Sequence, residues 1–235
     1  DATAGAVWDH YLAGSHTQQD GFRQHAEMEN QKLLTNFGVK VDRNVESRFY
    51  VALVRSRTQL PGYLTKEQLT STPTQRNSGA AYVSDDNQRR DVDAQRLANK
   101  TTVRDGNQVY EFAAYAMNYS LWHPIAYGVI QQRVDTQGGH FKVTNTMGAH
   151  QLTLAYLPSL GTTKGTSHAP NVNGWVTGNP VSDYTQKSAN HTVFVEDKYR
   201  ITDKTTWVVA LQYDKAHRQV SDVASAANNY DHAFN

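Results

Sequence analysis

Thr205-Thr206-Trp207-Val208-Val209-Ala210-Leu211-Gln212-Tyr213 is the stretch that decides the fold. Side chains alternate across an extended strand, so Trp207, Val209, Leu211 and Tyr213 share one face, and Thr206, Val208, Ala210 and Gln212 share the other. One face is bulky and apolar, the other smaller and more polar, and the period is two rather than 3.6. Just before it, Thr202-Asp203-Lys204 is a tight polar connection that follows another extended run, so the region reads as a β-hairpin.

Working outward, period-two segments recur, and strands are expected near 6–14, 29–41, 45–58, 92–103, 109–121, 140–146, 150–158, 190–201 and 205–215. In one of them Phe49, Val51 and Leu53 oppose Tyr50, Ala52 and Val54, so both sides are apolar and the facing stays open. Four connections are short: Asp42-Arg43-Asn44, Asp105-Gly106-Asn107-Gln108, Thr146-Met147-Gly148-Ala149 and Thr202-Asp203-Lys204. Long loops are expected between them, at 15–28, 59–91, 122–139 and 159–189. In an up-and-down antiparallel sheet this alternation puts short turns at one end and long loops at the other. Membrane β-barrels have that asymmetry, and a soluble sandwich has no need of it.

Tyr50, Tyr110, Tyr115, Tyr119, Trp122, Tyr156, Tyr199, Trp207 and Tyr213 fall toward strand ends, where an interfacial girdle would place them, although aromatic residues also favour strands generally. Thr65-Lys66-Glu67-Gln68 has the form of a helical capping box inside one long loop. The charge-rich stretch from Asp85 to Lys100 has helical propensity and competes with the strand expected there.

The 235 residues carry a formal charge of +1, so composition gives no case for a nucleic-acid partner. Zero cysteines exclude disulfides and thiolate metal sites. Mean hydropathy is −0.67, and no apolar run reaches the length of a membrane-spanning helix. That leaves a membrane barrel open, because only alternate residues of its strands meet lipid. The start, Asp1-Ala2-Thr3-Ala4-Gly5, has no signal-peptide pattern.

No hydrolase, zinc-protease or phosphate-loop motif occurs, and an enzyme is not expected. Gly161-Thr162-Thr163-Lys164-Gly165-Thr166 lacks phosphate-loop spacing and reads as an extracellular loop. Adjacent acids such as Glu196-Asp197 read as solvated or bonded within a sheet. The ten histidines lack tight ligand spacing; His16 with His25, and His140 with His150, are the pairs that a loop or turn could bring together.

Several segments resemble the barrel of TonB-dependent siderophore receptors. Gln19-Asp20-Gly21-Phe22-Arg23-Gln24-His25 is similar to a loop after an early barrel strand of that family. Glu46-Ser47-Arg48-Phe49-Tyr50 with Leu60-Pro61-Gly62-Tyr63-Leu64-Thr65-Lys66 resembles a later strand and loop. Arg96-Leu97-Ala98-Asn99-Lys100-Thr101, Leu121-Trp122-His123-Pro124-Ile125, and Val193–Thr202 leading into Leu211-Gln212-Tyr213-Asp214 follow in the family's order.

The resemblance implies an all-β, antiparallel up-and-down transmembrane barrel, of which residues 1–235 supply about nine to ten strands out of about 22. It implies a partial barrel domain over 1–235, without the family's plug domain, in the bacterial outer membrane. The implied function is TonB-dependent uptake of a ferric siderophore or similar iron chelate. Implied partners are the chelate, the TonB-ExbB-ExbD complex acting through a plug, outer-membrane lipids and lipopolysaccharide. No cofactor is implied, since iron would enter only within the transported chelate. Rival readings are a soluble all-β binding module of adhesin or carbohydrate-binding type, a passive porin-like barrel, and a free-standing small barrel.

An anionic ferric chelate requires cations at the long-loop end, where the planar guanidinium pairs well with chelate oxygens. The candidates are Arg23, His25, Arg76, Arg89, Arg90 and Arg133, with Lys164 and Lys187 behind them. The plainer alternative for each is a solubilising surface charge or a contact to lipopolysaccharide phosphate.

Overall fold

The computed structural model describes residues 6–77, 88–125, 128–169, 180–222 and 230–234. Ten strands form one sheet in strict sequence order: β1 (Val7–Gln19), β2 (Met28–Lys40), β3 (Val45–Gln59), β4 (Arg89–Asp105), β5 (Gln108–Ile125), β6 (Gly128–Met147), β7 (His150–His168), β8 (Ser182–Thr202), β9 (Thr205–Asp222) and β10 (Tyr230–Phe234). Each strand pairs antiparallel with the next. The helix α1 (Lys66–Ser71) lies between β3 and β4 and starts on the expected capping box, with Thr65 Oγ1 accepting from Gln68 N and Gln68 Oε1 accepting from Thr65 N.

The four short turns all sit at one end of the sheet, as the alternation of connections requires. Asp42 closes the first by accepting from the N–H groups of Asn44 and Val45, at 2.6 and 2.8 Å. Gly106 and Gly148 supply the left-handed residue of the second and third, at φ 54° and 59°.

All nine expected strands are present, but three long loops are shorter than expected because the strands continue through them. β1 runs to Gln19, covering the first part of the expected 15–28 loop. The expected 122–139 loop is instead the end of β5 and half of β6. Most of 159–189 lies in β7 and β8, and Gly161–Thr166 is strand rather than loop. Arg89 to Lys100 is strand rather than helix, and β10 adds a strand that no period-two pattern announced. A strand needs only about 9–11 residues to cross a membrane, and β4 to β9 have 17 to 21, so they stand well clear of it.

The register assigns a face to every side chain. One face carries Trp207, Val209, Leu211 and Tyr213 on β9 beside Tyr199, Val195 and Val193 on β8, then Leu152, Leu154 and Tyr156 on β7 and Val143 and Phe141 on β6. Phe49, Val51 and Leu53 join this face opposite Phe37, Thr35 and Leu33, which settles the ambiguous strand. Trp207, Val209, Leu211 and Tyr213 are 63, 68, 75 and 56% exposed. Among the described residues the buried apolar side chains are only Val92, Pro124, Val129 and Ala155. Leaving a large apolar side chain in water forfeits about 1.5–3 kcal/mol. A sheet with this many bare on one face and almost no core is built for an apolar solvent, not for a soluble sandwich.

The band is slanted. Followed through the register, Leu53 at its loop-side edge on β3 is level with Gln219 on β9, six residues beyond Tyr213, the edge there. One residue of shift per strand is the stagger that tilted barrel strands require. Tyr110, Trp122, Tyr156, Tyr199, Trp207 and Tyr213 lie on the apolar face. Tyr50, Tyr115 and Tyr119 lie on the opposite face and so belong to no lipid-facing girdle.

Candidate functional site

The polar face opposes the apolar band and is knitted by long side chains lying over cross-strand glycines. A Cβ on Gly165 would come 2.4 Å from the Tyr184 ring, one on Gly138 2.8 Å from Tyr115 Oη, and one on Gly38 2.5 Å from Arg48 Nη2. These glycines leave room for a neighbour to lie flat, which holds that neighbour's polar tip at a fixed place.

At the turn end this face is a charge ladder. Arg48 forks onto Asp9 at 2.6 and 2.7 Å, reaches Asn36 at 2.6 Å and stands 3.7 Å from Glu46. Glu111 bridges Lys100, at 3.4 Å, and Lys142. Glu196 pairs with Lys198 at 3.3 Å. The hollow between these groups measures about 540 Å³.

Midway, tyrosines replace the ladder. A hollow of about 830 Å³ is lined by Tyr11, Tyr50, Arg96, Tyr115, His140 and Asn190 among others. The Arg96 guanidinium lies 5.3 Å from the Tyr115 ring centroid, and Tyr115 Oη donates to Ser159 Oγ at 3.4 Å. Nearer the loops, Arg90 Nη2 donates to Tyr119 Oη at 3.1 Å and Gln132 Nε2 to Tyr184 Oη at 2.5 Å. Phenol, guanidinium and amide groups converging on one wall suit an oxygen-rich ligand.

None of Arg96, Tyr115, Gln132 and Tyr184 is among the ligand-binding candidates named from the sequence. The available signal was strand parity: once Leu97 faces lipid, Arg96 cannot.

The eight cations picked from the sequence scatter. Arg23 is spent within the loops, donating to the carbonyls of Gly62 at 2.7 Å, Gln75 at 3.0 Å and Pro61 at 3.1 Å. His25, at φ 59°, bonds through Nε2 to Gln88 O at 2.7 Å. Arg76 is half-buried in the connection that carries α1. Arg89, Arg90, Arg133, Lys164 and Lys187 are in strands, not loops. Arg89 Nε stands 3.2 Å from Asp91 Oδ2, off the direction of a good hydrogen bond. Arg90 faces the polar side, whereas Arg133, Lys164 and Lys187 share the side of the apolar band.

The histidine pairs are not brought together. His16 stands 3.7 Å from Glu29 while His25 bonds Gln88 O, and His140 and His150 lie on opposite faces. His150 instead bonds Asp197 at 2.8 Å and stacks on Tyr199. Glu196 and Asp197 likewise point to opposite faces and form no acid pair. Among the described residues no group of three His, Asp or Glu could hold a metal ion.

No family model matches the chain, and no curated protein is similar to it in sequence. Solved structures are similar in fold. The unliganded ferric citrate transporter FecA matches with a TM-score of 0.81 at 11% identity, over 96% of this chain and 35% of that one. The siderophore receptor PiuA from Acinetobacter baumannii gives 0.72 at 11% identity, over 100% of this chain and 42% of that one. The ferripyoverdine receptor of the outer membrane of Pseudomonas aeruginosa gives 0.69 at 10% identity, over 97% and 37%.

The fold is that of an outer-membrane β-barrel wall. The chain spans about a third to two fifths of the length of those receptors. In a receptor-barrel wall the apolar band faces lipid and the opposite face lines the interior. The tyrosine-lined hollow and the charge ladder are therefore interior surface.

Proposed function

We propose that this chain is the wall of an outer-membrane receptor that takes up a ferric siderophore or similar iron chelate. The observation that carries the reading is the pairing of a bare, tilted apolar band with an interior face of tyrosine, arginine and amide groups. Fold similarity to FecA, PiuA and the ferripyoverdine receptor supports the same reading.

The chelate would enter from the long-loop end. Arg90 with Tyr119, and Arg96 with Tyr115, are the interior groups best placed to hydrogen-bond its oxygens, and Arg76 would approach from the loop above. Arg23 and His25 would act by holding that loop in shape. Iron would pass only inside the chelate, with the TonB-ExbB-ExbD complex supplying energy through a plug domain within the barrel. No step of this scheme makes or breaks a covalent bond.

The test is uptake of radiolabelled ferric citrate and of a panel of ferric siderophores by cells with and without the protein. Saturable uptake of one chelate that vanishes on deletion, and also on collapse of the proton gradient, supports the reading. Uptake that stays non-saturable and indifferent to the gradient would sink it in favour of a passive pore.

A further inference from the structure

The chain enters β4 between two histidines. The carbonyl of Gln88, just before the strand, accepts from His25 Nε2 at 2.7 Å and from the Leu60 N–H at 2.9 Å. The carbonyl of the next residue, Arg89, accepts from His123 Nδ1 on β5 at 2.9 Å. A carbonyl can only accept, so the neutral rings carry their protons on Nε2 of His25 and Nδ1 of His123. Two consecutive carbonyls are thus gripped by imidazoles from two different elements.

The sheet alone does not supply this grip. Pairing between β4 and β5 starts at Asp91 with Trp122, so the Arg89 carbonyl lies beyond that ladder and takes the histidine instead. The corner is also packed as little else in the wall is. Of the four buried apolar side chains among the described residues, Val92 follows Arg90 by two positions, Pro124 adjoins His123, and Val129 is the register partner of Pro124. Only Ala155 lies elsewhere.

The residue that follows the clamp is Arg90, the first interior side chain of β4. It is exposed, and its guanidinium reaches Tyr119 Oη at 3.1 Å. An arginine that is free to swing loses rotamer freedom when it grips an anion, and that loss weakens binding. Here the clamp fixes the backbone on one side of Arg90 and the β5 ladder fixes it on the other. Only side-chain torsions are left, and the Tyr119 bond sets those.

We propose that His25 and His123 are positioning residues for the cargo: by clamping Gln88 and Arg89 they hold Arg90 against Tyr119 before the chelate arrives. The inference rests on the chelate-receptor reading above and adds to it two residues that act through Arg90. Support from a packed second layer is what keeps a binding group in its productive geometry.

Fluorine NMR of the detergent-purified receptor, with Tyr119 replaced by fluorotyrosine, reads the Arg90 contact without any ligand. Arg90→Gln should move the resonance. His123→Leu should move it the same way, whereas His123→Asn, whose Nδ2 stands where Nδ1 stood, should restore the native position. His25→Ala should move it less, because the Leu60 N–H still holds the Gln88 carbonyl. Heat-modifiable gel migration checks that each variant is folded. An unmoved resonance in His123→Leu, or one displaced as far in His123→Asn, overturns the proposal.

Equilibrium binding of ferric citrate, and of whichever ferric siderophore the uptake panel selects, gives the functional readout. Affinity should fall about two- to tenfold in His123→Leu, the scale of ordering one rotamer-rich side chain. In an Arg90→Gln background the same change should weaken binding no further. Additive losses would also overturn the proposal, since His123 would then act otherwise than through Arg90. If no chelate is bound or taken up, the transport reading falls, and the fluorine resonances still decide whether the clamp holds Arg90.

Discussion

The two faces of this wall solve opposite problems with the same strands. On the apolar face, Trp207, Val209, Leu211 and Tyr213 stand bare, each with little to touch but solvent. On the interior face, Arg48, Tyr115 and Tyr184 lie down over glycines and bond their neighbours. Stability on the first face comes from the bilayer, and on the second from the chain itself. Substitutions that look equivalent along one strand should therefore differ sharply between odd and even positions of β9.

The largest break in that comparison is a charge placed on the bare face. Leu211→Arg should cost about 2–4 kcal/mol, while Gln212→Arg on the neighbouring interior position should be nearly neutral. Equilibrium urea unfolding in lipid vesicles reads both, and equal effects would mean that the faces are misassigned.

Gly165→Val comes next. Its side chain collides with the Tyr184 ring and should cost about 1–3 kcal/mol by overpacking. The loss should shrink in a Tyr184→Ala background, and thermal unfolding of the four proteins completes the cycle. Additive losses would show that Gly165 is needed for a reason other than the tyrosine.

Glu111→Gln should cost about 1 kcal/mol, because Lys100 and Lys142 are left to repel each other across half-exposed surface. Raising salt should narrow the gap between variant and native protein in the same unfolding assay. A gap that salt leaves unchanged would exclude charge as its cause.

Arg23→Ala should leave global unfolding almost untouched while loosening residues 60–77, which lose three hydrogen bonds of about 1 kcal/mol each. Hydrogen exchange would show faster exchange at Asn77, whose N–H bonds Pro61 O, with the strands unaffected.

The order of strands and the positions of the turns were legible in the sequence because lipid imposes strict alternation, and Asp42, Gly106 and Gly148 mark where the chain must reverse. Legibility stopped where the strands leave the lipid. Apart from Gly165, both faces of Gln131–Gly139 and Gly161–Thr166 are wet or only partly covered, so hydropathy no longer alternates, and glycine and threonine read as loop. What keeps them extended is the ladder with the next strand, a non-local cause that no single segment reveals. The cationic candidates divide between the two faces for the same reason. Their facing depends on register parity, and an error in where a strand begins moves a side chain from interior to exterior. The interior pairing of Arg96 with Tyr115 needed that parity before it could be seen.

The height of the strands has a consequence for enzymes outside the cell. A protease must draw an unpaired stretch of chain into its cleft, and the paired backbone of β6 and β7 continues through Thr166. Cleavage from outside is thereby confined to the segments that join the strands. The connection 20–27 is a poor substrate even among those, being tied to Gly62, Thr74 and Gln75. An armoured rim of this kind allows a cell to expose the outer edge of the barrel in a digestive environment without losing the wall beneath.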